Sequence, residues 1–204
     1  MAEFAHKVTE QVPTRFDRRR EKTRADLLDA AERVIARKGY HDTRIADIAT
    51  DADVGLGTFY LHFQTKNEIF IELIANGAQS LREMLSAAKT GFDSPADMLR
   101  ITISTILDAA AENPESFRIV FGHSPAFLDL MVRVHETFIN DLRDELAPAI
   151  GARAEVVANL TIGMLSQAIS WLLERGEMAL DELKDTTVNF ALGGLERAVR
   201  LENR

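Results

Sequence analysis

The chain has 204 residues and no cysteine, which excludes a disulfide scaffold, a thiolate metal site and a cysteine nucleophile. This fits a reducing, cytoplasmic setting. Long apolar runs are missing too: the most apolar stretch, Ile162 to Leu173, is short and interrupted by Ser166, Gln167 and Ser170, so no bilayer span is expected. The charged N-terminus lacks the apolar core of a signal peptide, and without secretion the Asn159-Leu160-Thr161 sequon has no use. Metal-ligand spacing is absent among the five histidines, His6, His41, His62, His123 and His135. His135-Glu136 starts like a zinc-protease motif, but Ile139 stands where the second histidine belongs. There is no predicted strand, no glycine-rich phosphate loop, no repeat and no low-complexity segment. These absences argue for no catalytic residues, no metal and no cofactor, and against an enzyme.

Excess positive charge is also lacking overall, since the formal net charge is −8. The deficit is uneven. Residues 1–67 hold 12 Lys and Arg against 11 Asp and Glu, whereas the remainder holds 12 against 21. A locally basic head on an acidic body suits a protein that meets phosphate at one end. An apolar content of 46% and a charged content of 27% are those of a globular protein, long enough for one sizeable core or two small ones.

The chain is organised around Arg44 to Lys66. Ile45, Ile48, Ala49 and Ala52 recur at helical spacing and predict a short helix with one inward stripe. Asp53-Val54-Gly55 breaks that helix with residues that tolerate turn conformations. A second short helix follows with Phe59 and Phe63 as its buried edge. Thr65 and Glu68 then read as the capping box of a third. Helix, turn, helix is the geometry that lays a recognition helix in a major groove, although helical corners of this kind also occur as plain structure.

Gly39-Tyr40, Ile48-Ala49, Ala52, Val54, Gly57-Thr58-Phe59-Tyr60, His62-Phe63 and Lys66 resemble the DNA-binding signature of the tetracycline-repressor (TetR) family over about residues 24–70. The chain departs from that signature at Asp53, where glycine is usual, at Gly55, where a small hydroxyl residue is usual, and at Arg44, where Ser or Thr is usual. The resemblance implies DNA contact by Thr43, Arg44, Leu56, Gly57, Thr58, Tyr60, Leu61, His62 and Lys66. Tyr60, His62 and Lys66 are expected to hold phosphate, and Arg44, Leu56, Gly57 and Thr58 to read bases. The recognition helix has no Arg, Asn or Gln for a bidentate base contact, which leaves Arg44 as the one strong direct reader.

Before this motif, Arg15 to Arg24 holds six basic residues against Asp17 and Glu21. Charge runs are often solvated tails, but this position favours a phosphate-seeking arm with Arg18, Arg19 and Arg20 as its contacts. A helix from Thr23 to about Lys38 completes the head, ended by Gly39. The expected division is a flexible basic arm over 1–22, a helix-turn-helix domain over 23–67, and a helical ligand-binding and dimerisation domain over 68–204.

Beyond Lys66 the apolar periodicity stays helical to the end, so the fold class is all-α: a three-helix head on a larger helical body. Phe92, Phe117, Phe121, His123, Phe127, Met131, His135, Phe138, Met164, Gln167 and Trp171 are candidates to line a small-molecule pocket, with plain core as the competing reading. The last two helices carry apolar stripes with small residues, and Gly163, Met164, Trp171, Ala191, Gly194, Leu195 and Ala198 are the expected dimer interface. Proteins that resemble this one use the body to hold an inducer that moves the DNA heads apart. The expected function is a ligand-responsive repressor binding a palindromic operator as a homodimer, its partners being double-stranded DNA, a second copy and an unidentified small-molecule effector, with no membrane. The alternative is a helical ligand-binding or scaffold protein whose head binds protein.

Overall fold

The computed structural model describes residues 14–114, 116–117, 128–176 and 178–202. Among the described residues there are eight helices and no strand: α1 (Arg15–Asp42), α2 (Ile45–Asp51), α3 (Leu56–His62), α4 (Lys66–Ala88), α5 (Pro95–Glu112), α6 (Leu128–Ile150), α7 (Arg153–Glu174) and α8 (Leu180–Glu202). The fold is all-α with a helix-turn-helix head, as the sequence predicts.

Residues 15–22, expected in a flexible arm, form the first two turns of α1. The reason is local. The Thr14 hydroxyl accepts from the Asp17 N–H at 3.2 Å, and the Asp17 carboxylate accepts from the Thr14 N–H at 2.9 Å. This reciprocal cap starts the helix two turns earlier than the apolar pattern does. The rest of the arm, residues 1–13, lies outside the described residues. At its other end α1 kinks at Gly39, whose φ of 75° suits glycine, and the chain folds back to bury Tyr40.

Two apolar cores result, and α4 belongs to both. In the head, Leu27, Val34 and Ile35 of α1 pack on Ile48, Phe59 and Phe63, with Ile69, Phe70 and Ile74 of α4 completing the cluster. Fully burying side chains such as Phe59 and Phe63 contributes about 2–3 kcal/mol each. Further along α4, Leu81 and Leu85 enter the body core with Leu99, Ile103 and Leu107 of α5, Leu142 and Leu146 of α6, and Leu165 and Ile169 of α7. Arg82 meets Asp141 at 2.6 Å and Lys89 meets Glu145 at 2.7 Å, so the C-terminal half of α4 is also tied to α6 by charge. A helix of 23 residues spanning both cores, about 35 Å long, couples any tilt of the body to the head.

α7 is long and apolar enough, by length and composition, to cross a membrane. Its inner face, with Ala154, Ala158, Ile162, Leu165 and Ile169, is core. Its outer face still exposes Val156 and Leu160.

Candidate nucleic-acid interface and effector cavity

α2 and α3 are short, seven residues each, and each buries one face. α2 buries Ile48 and Ala49, and α3 buries Phe59. The turn is closed by the Val54 N–H donating to the Ala49 carbonyl at 2.9 Å, and Gly55 caps α3 without any side-chain bond. Asp53 holds φ at 52°, the one non-glycine residue in the left-handed region among those described. Relieving that conformation with Asp53→Gly is expected to stabilise the head by about 1 kcal/mol, read by thermal unfolding. A loss of stability would instead assign the Asp53 side chain a structural role.

α3 turns Leu56, Gly57, Tyr60 and Leu61 outward, with Leu61 74% exposed, while Thr58 and His62 are half-buried at its edges. A Cβ added at Gly57 would meet nothing within 4 Å, so the outer surface of this helix is open to close approach. Burial, with Arg20 and Arg24 nearby, holds the His62 imidazole below its usual pKa, against the opposing effect of Glu21. The neutral form of His62 is thereby favoured. Arg44 is exposed at the N-cap of α2.

Two of the expected DNA contacts are absorbed by the head itself. Thr43 is buried, and its hydroxyl donates to the Gly39 carbonyl at 2.8 Å. Lys66 Nζ donates to the carbonyls of Tyr40, Thr43 and His41 at 2.8, 2.9 and 3.3 Å, and lies 4.3 Å from the Tyr40 ring centroid. An ammonium has three donors, and all three are used. In this structure Lys66 clasps the C-terminal end of α1.

Other cations of the head are spent in the same way. Arg33 and Arg37 pair with Asp51 at 2.8 and 2.6 Å, and Lys38 pairs with Asp47 at 3.0 Å, which pins α2 to α1. Hydrogen bonds from these cations are the largest reason that Asp51 and Asp47 titrate below the usual carboxylate range. Arg24 lies over the Phe63 ring at 4.3 Å, donates to the His62 carbonyl at 3.1 Å and pairs with Glu72. It fixes the end of the reading helix against α4. Among the described residues of the head, the cations left outside both ion pairs and the Lys66 clasp are Arg15, Arg18, Arg19, Arg20, Lys22 and Arg44. Five of these six lie in the exposed first two turns of α1, and Arg20 is close enough to His62 to act on its titration.

A cavity of about 510 Å³ opens between α1, α4, α5, α6 and α7. Of the expected pocket residues, Phe117, His135 and Phe138 line it. Ser166 donates to the Ile162 carbonyl at 2.9 Å and faces His135 Nε2 at 3.3 Å, while burial pushes the His135 pKa down. Phe92 instead lies exposed in the loop before α5, Gln167 points to solvent, and Met131 does not reach the cavity. Met164 and Trp171 pack against the body core. Phe121, His123 and Phe127 lie outside the described residues. The lining that the sequence reading missed comes from head and body alike: Leu28 and Ile35 of α1 and Phe70 and Ile74 of α4, with Ile106 of α5 and Leu165 of α7. Their helical spacing reads as core, and only the packing shows a gap beside them.

The expected interface residues divide likewise. Leu195 is 3% exposed and Ala198 is buried, both within the protomer's own core, so neither is available to a partner. Met164, Trp171 and Ala191 are half-buried against that core. Gly163 and Gly194 are exposed, and Gly163 faces away from the cavity. They share their outer faces with large apolar residues: Val156 and Leu160 on α7, and Phe190, 78% exposed, on α8.

Residues 27–73 match the profile of the bacterial regulatory proteins of the tetR family. Solved structures share the fold over nearly their whole length. A TetR-like transcriptional regulator from Rhodococcus sp. RHA1 has 23% identity and a TM-score of 0.68, covering 87% of this chain and 96% of its own. The transcriptional regulator FadR from Bacillus subtilis, solved in complex with stearoyl-CoA, has 20% identity and a TM-score of 0.73 over 83% of this chain and 98% of its own. A putative fatty acid metabolism regulator from Clostridium perfringens has 25% identity and a TM-score of 0.66 over 83% and 97%. The match covers the helix-turn-helix whose outward helix and free cations have just been described: residues 27–73 carry the tetR-family DNA-binding domain, and the chain as a whole shares the fold of solved TetR-like transcriptional regulators.

Proposed function

We propose that the protein is a cytoplasmic, ligand-responsive repressor that binds a palindromic operator as a homodimer and performs no catalysis. The observation that carries this reading is the outer surface of α3, apolar and open, flanked by the unpaired cations of α1 and by Arg44. Apolar Leu56 and Leu61 suit thymine methyls, and Arg44 suits guanine. Tyr60 and the first turns of α1 suit phosphate. Residues 23–67 act as the reading domain, with α4 as the element shared with the body.

The homodimer reading rests on the outer stripe Val156, Leu160, Gly163 and Gln167 of α7 beside Phe190, Gly193 and Gly194 of α8. These positions repeat at helical spacing, and the glycines permit close helix approach. The effector reading rests on the cavity, whose walls come from both head and body. A ligand that fits only the DNA-incompetent arrangement shifts the balance by its differential affinity for the two states.

Salt dependence of binding to a retarded DNA fragment tests the reading. Each phosphate contact contributes about −0.9 to the slope of log affinity against log salt. Successive residues of a helix point about 100° apart, so Arg18, Arg19 and Arg20 cannot all face the duplex. Changing all three to Ala should make the slope shallower by roughly two units for the dimer, with most of the change reproduced by Arg20→Ala alone. An unaltered slope would make this turn a solvated helix end. Failure of the wild type to retard any genomic fragment would favour a head that binds protein.

A further inference from the structure

The described wall of the cavity carries one sign of charge. Its described lining is mostly apolar, and its polar groups, such as Asn76, Ser80, Asn113, His135 and Ser166, are neutral or can be so. The only charged residues among the described lining are Asp29 and Glu32. They stand three residues apart on the exposed side of α1, so both reach the same mouth. Neither has an ion-pair partner among the described residues, and no Lys or Arg joins them at the wall. An anionic head group entering here would lose water, gain no described cation and meet two carboxylates. A positive one would meet two acceptors of opposite sign.

We infer that the effector is a cationic amphiphile, a lipophilic amine or quaternary ammonium whose apolar body fills the cavity between α1, α4 and α7 while its positive end sits at Asp29 and Glu32. A volume of about 510 Å³ falls within the roughly 300–1,000 Å³ of small-molecule pockets. The inference rests on the effector reading proposed above and sets this chain apart from the stearoyl-CoA complex of the Bacillus subtilis regulator, whose ligand is an anion.

The test is calorimetric titration of the full chain with three probes of equal tail length: decyltrimethylammonium, decanoate and 1-decanol. Two partly exposed carboxylates supply a few-fold each, so the ammonium should bind about tenfold more tightly than decanoate. In the double variant Asp29→Asn/Glu32→Gln that preference should collapse to within about twofold, while the affinity for decanol stays as in wild type. Decanoate binding as tightly as the ammonium, or a preference that survives in the double variant, would overturn the inference and leave the cavity an effector site. Absence of binding by all three probes, decanol included, would overturn the effector reading itself.

Discussion

Replacing Lys66 by Met is expected to cost the head about 3 kcal/mol and to abolish DNA binding without removing any DNA contact. The stem of the side chain is kept, but three carbonyls of the α1 terminus lose their shared donor. Hydrogen bonds to a charged group contribute about 1.5–3 kcal/mol each, and they are not additive when one ammonium makes all three. The ammonium over the Tyr40 ring adds about 0.5–1 kcal/mol. Lys66→Arg should recover little, because a planar fork does not match three carbonyls converging on a point. Chemical denaturation followed at the head reads the effect. A variant of wild-type stability with lost operator affinity would return Lys66 to the phosphate role that the family signature implies.

The second large effect concerns assembly, where two leucines on neighbouring helices should behave oppositely. Leu160 is 69% exposed on the outer face of α7, so Leu160→Glu should leave the fold intact. The protein should sediment as a monomer and lose operator affinity by about a thousandfold or more, since a single head forfeits the second half-site. Leu195 lies in the core, so Leu195→Glu should unfold the body, at a cost of about 4 kcal/mol or more for a buried charge without a partner. Light scattering and circular dichroism separate the outcomes. A folded dimer from Leu160→Glu would move the interface elsewhere.

These contrasts show where sequence was informative. Apolar spacing is enough to find α2, α3 and α4, because Ile48, Phe59 and Ile69 must each face one core. Capping chemistry places the start of α5 at Ser94-Pro95, with the Asp97 N–H donating to Ser94. The same chemistry at Thr14 and Asp17 was hidden inside a run of charge, so the first turns of α1 read as an arm. The family signature located the reading surface, but a lysine in a motif does not show whether it points at phosphate or at the chain's own carbonyls. Polar residues among apolar ones were a weak guide to the cavity. His135 lines it, whereas Gln167, on the next helix, faces solvent. Periodicity assigns a face to a residue, but which face meets a neighbour, a void or a second copy is decided by tertiary packing. Leu160 and Leu195 carry identical side chains and differ only in that.

Selection of bound sequences from random double-stranded DNA by the purified full-length protein tests the central claim most directly. The account predicts enrichment of an inverted repeat whose half-sites contain thymines facing α3 and a guanine whose preference disappears with Arg44→Ala. Recovery of no sequence preference, or of a preference without two-fold symmetry, would contradict it.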